Sequence, residues 1–188
     1  MKRLDSLIQA VNLIDSIGSL AIQVSSLALD SRLVQKDGLF AATRGSNTDG
    51  HLFIDKAIEL GASVILCEEI SNPKDHVTYL IVENSAMALG HIASAFHNYP
   101  SENLKLVGVT GTNGKTSVSS MLYDCFRNLN HSCGLLSTIK YSINGVDTIS
   151  THTTPNSIRI NELLAEMVEA GCEYAFMEVS SHALHQHR

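Results

Sequence analysis

Leu4, Leu7, Ile8, Val11, Ile14 and Ile17 recur at intervals of three and four residues and are followed by Gly18, which predicts an opening amphipathic helix. Residues 21–29 mix apolar and polar positions in a way that fits a strand, and 38–43 form a short apolar run that predicts a buried one. A polar, glycine-bearing loop over 44–50 leads to a predicted helix from about 51 to 60, stopped by Gly61. Residues 62–67 and 77–82 are continuous apolar runs of strand length, the signature of a sheet covered on both faces. A helix predicted over 85–98 ends at Tyr99-Pro100.

The alternation resumes after residues 100–103, the best place for a domain boundary. A strand at 104–109, a helix at 116–129 and a strand at 134–139 are followed by Asn144-Gly145, the two-residue signal of a hairpin between apolar segments. A helix from about 157 to 170 stops at Gly171, and 173–179 is another buried strand. Strands alternating with helices predict an α/β layer protein with two domains, 1–100 and 101–188.

Composition narrows the function classes. The 188 residues are 44% hydrophobic and 17% charged, enough for real cores and unlike a disordered chain. Thirteen basic against nineteen acidic residues give a net charge of −6, a poor match to a nucleic-acid binder. No stretch approaches the ~18 apolar residues of a membrane span, and Asp5 interrupts the N-terminus where a signal peptide needs an apolar run. Cys67, Cys125, Cys133 and Cys172 are widely spaced, as expected of reduced thiols in a cytoplasmic protein.

The sharpest chemical signal is Val107-Gly-Val-Thr-Gly-Thr-Asn-Gly-Lys-Thr116, an apolar strand running through a glycine loop into a helix. Gly111 and Gly114 let backbone amides turn toward a polyphosphate, with the helix N-terminus aimed at the same place. Lys115 would reach the outer phosphates and Thr116 a magnesium ion. The strict phosphate-loop pattern requires glycine at the position of Val109; the nearest is Gly108. Glu178, at the end of an apolar strand, is the type of carboxylate that holds Mg²⁺ opposite such a loop.

Two further segments stay open on the residues alone. Thr151-His-Thr-Thr-Pro155 reads either as helix capping with proline in the first turn or as a substrate contact. His182, His185 and His187 could approach zinc, but no cysteine or acidic ligand is interleaved, and a polar active-site helix explains them equally.

Taken together, Thr110-Gly-Thr-Asn-Gly-Lys-Thr116, His152-Thr-Thr-Pro155 and the stretch from Met177 through Ser180-Ser-His to Arg188 resemble the Mur ligase family. Leu29-Asp-Ser-Arg32, Asp37-Gly-Leu-Phe-Ala-Ala42 and Gly45-Ser-Asn-Thr-Asp-Gly-His51 extend the resemblance over nearly the whole chain. The Ser-Ser-His stretch is most similar to the branch that forms the muramoyl tripeptide. The family has Thr in many members where this chain has Ser117.

The resemblance implies a small N-terminal α/β uridine-binding domain followed by an incomplete ATP-binding central domain. It assigns ATP to Gly111, Thr112, Asn113, Gly114, Lys115, Thr116 and Ser117, with Lys115 catalytic and Mg²⁺ on Thr116 and Glu178. It assigns UDP-N-acetylmuramoyl-L-alanyl-D-glutamate to Leu29, Ser31, Ser46, Asn47 and Thr48 at the nucleotide end, and to His152, Thr153, Thr154, Ser180, Gln186 and Arg188 beyond it. The implied reaction is ATP-driven amide formation with a diamino acid, meso-diaminopimelate or L-lysine. It further implies that the amino-acid-binding domain lies outside these 188 residues and that the chain alone is inactive. The competing readings are a stand-alone phosphate-loop ATPase or kinase, a neighbouring ligase of the same family, a folylpolyglutamate-type ligase, and a nucleotide-sugar-binding module without catalysis.

Overall fold

The computed structural model describes residues 1–45, 48–150 and 155–186. The chain divides into two compact units, Met1–Phe96 and His97–Arg188.

The first unit contains β1 (Lys2–Arg3), α1 (Leu4–Leu7), β2 (Leu13–Ile17), β3 (Gln23–Val24), β4 (Leu27–Ala28), β5 (Gly38–Ala41), α2 (Ile54–Glu59), β6 (Ala62–Cys67), β7 (Thr78–Val82) and α3 (Ser85–Phe96). Its main sheet has the order β2-β7-β6-β5-β4, parallel except for β2 at one edge. Side chains alternate across the buried strands. Phe40, Ile65, Cys67 and Tyr79 join Ile54 and Ala57 of α2 in one core. Leu39, Val64, Leu66 and Leu80, one position away along their strands, are also buried.

The opening helix predicted from the apolar spacing is a single turn here, and its second half is strand β2. Ile14, which the helical pattern assigns to the core, is 67% exposed and falls where the β2–β7 register shifts between Leu13 and Asp15. A bulge therefore reproduces helical spacing on a strand. Pairing with β7 supplies the backbone partners that a continued helix would have supplied. The strand predicted over 21–29 is likewise broken, into β3 against β1 and β4 against β5.

The second unit contains β8 (Lys105–Val109), α4 (Lys115–Asn128), β9 (Cys133–Leu136), β10 (Lys140–Ile143), β11 (Val146–Ile149), α5 (Ser157–Glu169), β12 (Tyr174–Glu178) and α6 (Ser181–His185). The sheet order is β11-β10-β9-β12-β8, with β9, β12 and β8 parallel. Alternation again splits the core. Cys133, Leu135 and Phe176 meet Tyr123 of α4, while Leu136 and Ala175 meet Ile160, Leu163, Leu164 and Met167 of α5. The hairpin turns on Asn144 (φ 49°) and Gly145 (φ 90°), the left-handed pair that a two-residue turn requires. Asn156 rather than the threonine segment caps α5, its side chain accepting from the Arg159 N–H, so Pro155 stands outside the first turn.

All four cysteines are free, and only Cys125 is exposed. Burial pushes the Cys67 thiol up to about 11 and raises Cys133 and Cys172. A thiol-disulfide reagent at neutral pH is therefore expected to label one thiol rapidly and the other three only on unfolding. Two or more fast thiols in the native chain would contradict this packing.

Candidate functional site

β8 delivers the chain to the loop at 110–114, and α4 begins at Lys115. Gly114 is the residue before the helix, at φ 82°, a conformation that L side chains rarely adopt, so the glycine there is set by the backbone. Lys115 crosses the loop, its Nζ donating to the Gly111 carbonyl at 2.7 Å and lying 3.5 Å from that of Thr112. Thr112, Asn113 and Ser117 are exposed around it. The first turn of α4 leaves backbone N–H groups without partners within the helix, and these face the loop end of the strand.

Glu178 ends β12, in register with Val109 of β8, and is 1% exposed. The structure brings it to the loop. Thr116 Oγ1 donates to Glu178 Oε2 at 3.0 Å. Thr138 adds two bonds, its backbone N–H to Oε1 at 2.8 Å and its hydroxyl to Oε2 at 3.0 Å. A buried carboxylate stays affordable only when such donors surround it. Thr116 and Glu178 each carry a local sequence signature, and Thr138 carries none. Its signal was positional: Leu136 at the end of β9 lies beside Met177 of the parallel neighbour β12, so the residues just beyond each strand converge.

In the first unit, Leu29, Ser31 and Thr48 line one cleft of about 580 Å³, with Phe40, Thr43 and Phe53. It lies beyond the carboxyl ends of β4 and β5, where open α/β sheets receive ligands. Ser31 opens a 3-10 turn capped by Asp30, whose side chain accepts from the Arg32 N–H. The Arg32 guanidinium beside Asp30 pulls that carboxyl down to about 2. The stability this gives the turn is fully present above about pH 3.9, the ordinary carboxylate value, and is lost as pH falls through about 2.

A second group of side chains, to which the sequence assigns no role, braces the loop that supplies Thr48. Arg44 and Asp49 form an antiparallel bridge at its base. The Arg44 guanidinium lies 3.2 Å from Glu68 and 2.7 Å from Glu69. His51 Nε2 accepts from the Glu68 N–H at 3.0 Å, which places the ring proton on Nδ1, donating to Asp49 at 2.6 Å. The His51 backbone N–H and ring together hold the Asp49 carboxyl below its usual range.

Ser180 caps α6 through a bond from the Ala183 N–H, and Gln186 Nε2 lies 2.8 Å from His182 Nε2. Ser46, Asn47, His152, Thr153, Thr154, His187 and Arg188 lie outside the described residues. No helix among the described residues is long and apolar enough to cross a membrane.

Adjacent parallel strands that end one in a glycine loop and the other in a buried carboxylate define an α/β protein of the phosphate-loop class. Two family descriptions match the chain: "Mur ligase family, catalytic domain" over residues 23–97 and "Mur ligase middle domain" over 109–188. The chain belongs to the Mur ligase family.

It is 47% identical over 188 residues to the UDP-N-acetylmuramoyl-L-alanyl-D-glutamate--2,6-diaminopimelate ligase of Cytophaga hutchinsonii, covering 99% of this chain and 39% of that protein. The enzyme of the same name from Parabacteroides distasonis is 47% identical over 173 residues, covering 92% and 36%. The chain thus spans less than two fifths of these relatives' length. A solved structure of a ligase of that name superposes with a TM-score of 0.76 at 22% identity, over 96% of this chain and 36% of that one. The MurF ligase of Thermotoga maritima in complex with ADP gives 0.58 at 25%, over 83% and 32%.

Proposed function

We propose that this chain supplies the nucleotide-sugar-binding and ATP-binding parts of a cytoplasmic ligase that joins meso-diaminopimelate to UDP-N-acetylmuramoyl-L-alanyl-D-glutamate. The observation that carries the reading is the closure of the glycine loop by Thr116 and Glu178. The relatives' names supply the substrates, and their agreement on diaminopimelate favours it over L-lysine. Four free thiols fit a reducing compartment. In this reading residues 1–100 hold the uridine nucleotide in the cleft beside Leu29, Ser31 and Thr48, and residues 101–188 hold ATP.

In the second unit the amides of residues 111–114 and the N-terminus of α4 would bind the phosphates. Lys115 would turn from the Gly111 carbonyl to the outer phosphates and offset charge as the γ-phosphoryl passes to the D-glutamate carboxylate. Attack on the resulting acyl phosphate by the diamino acid's amine forms the amide and releases phosphate. Thr116 and Glu178 would hold Mg²⁺. A hydroxyl and a buried carboxylate brought within 3.0 Å of each other are the hard oxygen donors that such a cation takes. Bound there, the ion would supply positive charge to offset that of the phosphates.

The test is calorimetric titration of the chain with UDP-N-acetylmuramoyl-L-alanyl-D-glutamate and, separately, with Mg-ATP. Saturable binding of both is expected, with neither displacing the other. Ser31→Ala should weaken the UDP ligand about tenfold, the loss of one hydrogen bond in a desolvated site, and leave ATP unchanged. Mutual displacement, or a folded chain that binds neither, would overturn the reading.

A further inference from the structure

Glutamate carboxylates rotate easily about their last side-chain bond, whose torsion is broad and roughly two-fold. A carboxylate meant to present one oxygen to a cation therefore needs something to fix its plane. Thr138 touches both Glu178 oxygens: its N–H reaches Oε1 at 2.8 Å and its hydroxyl reaches Oε2 at 3.0 Å. Two donors from one residue set the carboxylate plane as well as its position.

Thr138 is itself held. It stands in the turn between β9 and β10, where the Ser137 N–H and hydroxyl both donate to the Lys140 carbonyl, at 3.1 and 2.9 Å. The Lys140 N–H returns a bond to Ser137 Oγ at 3.2 Å. Beyond the turn, Lys140 Nζ pairs with Asp147 across the hairpin at 2.7 Å. The clamp on Glu178 thus rests on reciprocal bonds between Ser137 and Lys140 in the β9–β10 turn.

Thr116 and Thr138 also differ in what they can do once a cation arrives. Thr116 follows the loop lysine and is a candidate ligand, so its oxygen lone pairs are wanted by the ion. Thr138 approaches Glu178 from the other strand connection and can keep donating. We propose that Thr138 is a positioning residue that orients Glu178 toward Thr116 for a divalent cation accompanying the nucleotide. This inference rests on the ATP-binding reading above.

The test measures ATP affinity of the chain with Mg²⁺ and in EDTA, for the wild type, Thr138→Val, Thr138→Ser and Glu178→Gln, alongside Mn²⁺ binding by electron paramagnetic resonance. Orienting partners of metal ligands typically contribute 10–100-fold to metal affinity. Thr138→Val should lose about tenfold in Mg²⁺-supported ATP binding and in Mn²⁺ affinity. Its affinity in EDTA should match the wild type, and Thr138→Ser should restore both. Combined with Glu178→Gln, Thr138→Val should add little, because the two act through one group. Wild-type behaviour of Thr138→Val, an equal loss in Thr138→Ser, or an equal loss in EDTA would overturn the inference while leaving the ATP site standing. Wild-type binding that ignores Mg²⁺ would overturn both.

Discussion

Glu178→Gln is expected to remove the Mg²⁺-dependent part of ATP binding, weakening it on the order of 100-fold, about 2.7 kcal/mol, while affinity in EDTA stays near that of the wild type. The amide keeps the size of the side chain and its carbonyl oxygen can still accept from the Thr138 N–H, so the strand end should keep its place. What disappears is the negative charge beside Thr116 Oγ1, and with it the pairing of hydroxyl and carboxylate that suits a hard cation. Glu178→Ala is a poorer probe, because it strands the Thr116 and Thr138 donors around a cavity in a position that is 1% exposed. Titration with and without the metal, with a thermal melt to confirm folding, checks the result. A Glu178→Gln chain that still gains affinity from Mg²⁺ would remove Glu178 from the site.

Lys115→Met should act differently, abolishing the preference for ATP over AMP with or without the metal. The Nζ atom is held 2.7 Å from the Gly111 carbonyl, within reach of whatever the loop encloses. Methionine preserves helix propensity and much of the apolar stem, so the loss isolates the charge. A charge-assisted contact to phosphate is among the strongest single hydrogen bonds available, and the expected loss for ATP is on the order of 100-fold. AMP affinity should change little. Competition of ATP and AMP against a fluorescent nucleotide measures both, and equal weakening of the two would show that Lys115 supports the loop rather than the outer phosphates.

Much of the architecture was legible because the interior parallel strands are buried on two faces. The runs 62–67 and 77–82 stand as β6 and β7, and Asn144-Gly145 turns the hairpin where its dihedral demands place it. The opening segment failed for a physical reason: Ile14 sits at a register shift, and a bulge imitates helical spacing. Local pattern holds no information about which strand edge will be free to accept a partner. At the candidate site, Lys115, Thr116 and Glu178 could be proposed from sequence because loop and strand end each have a local signature, and the fold brings Thr116 to Glu178. Thr138 and the Asp49–His51–Glu68 chain were not, since their roles exist only across strands that the sequence separates.

β8 carries a consequence of another kind. It lies at the edge of its sheet, paired with β12 on one side, and Leu106 and Val107 are each 37% exposed. An apolar edge with unsatisfied backbone groups is a template for strand addition. Lys105 is the one charged residue along it, so little electrostatic repulsion discourages a second copy from docking there. The strand that leads into the glycine loop is therefore also, among the described residues, the exposed apolar edge of its sheet, where a further strand would add.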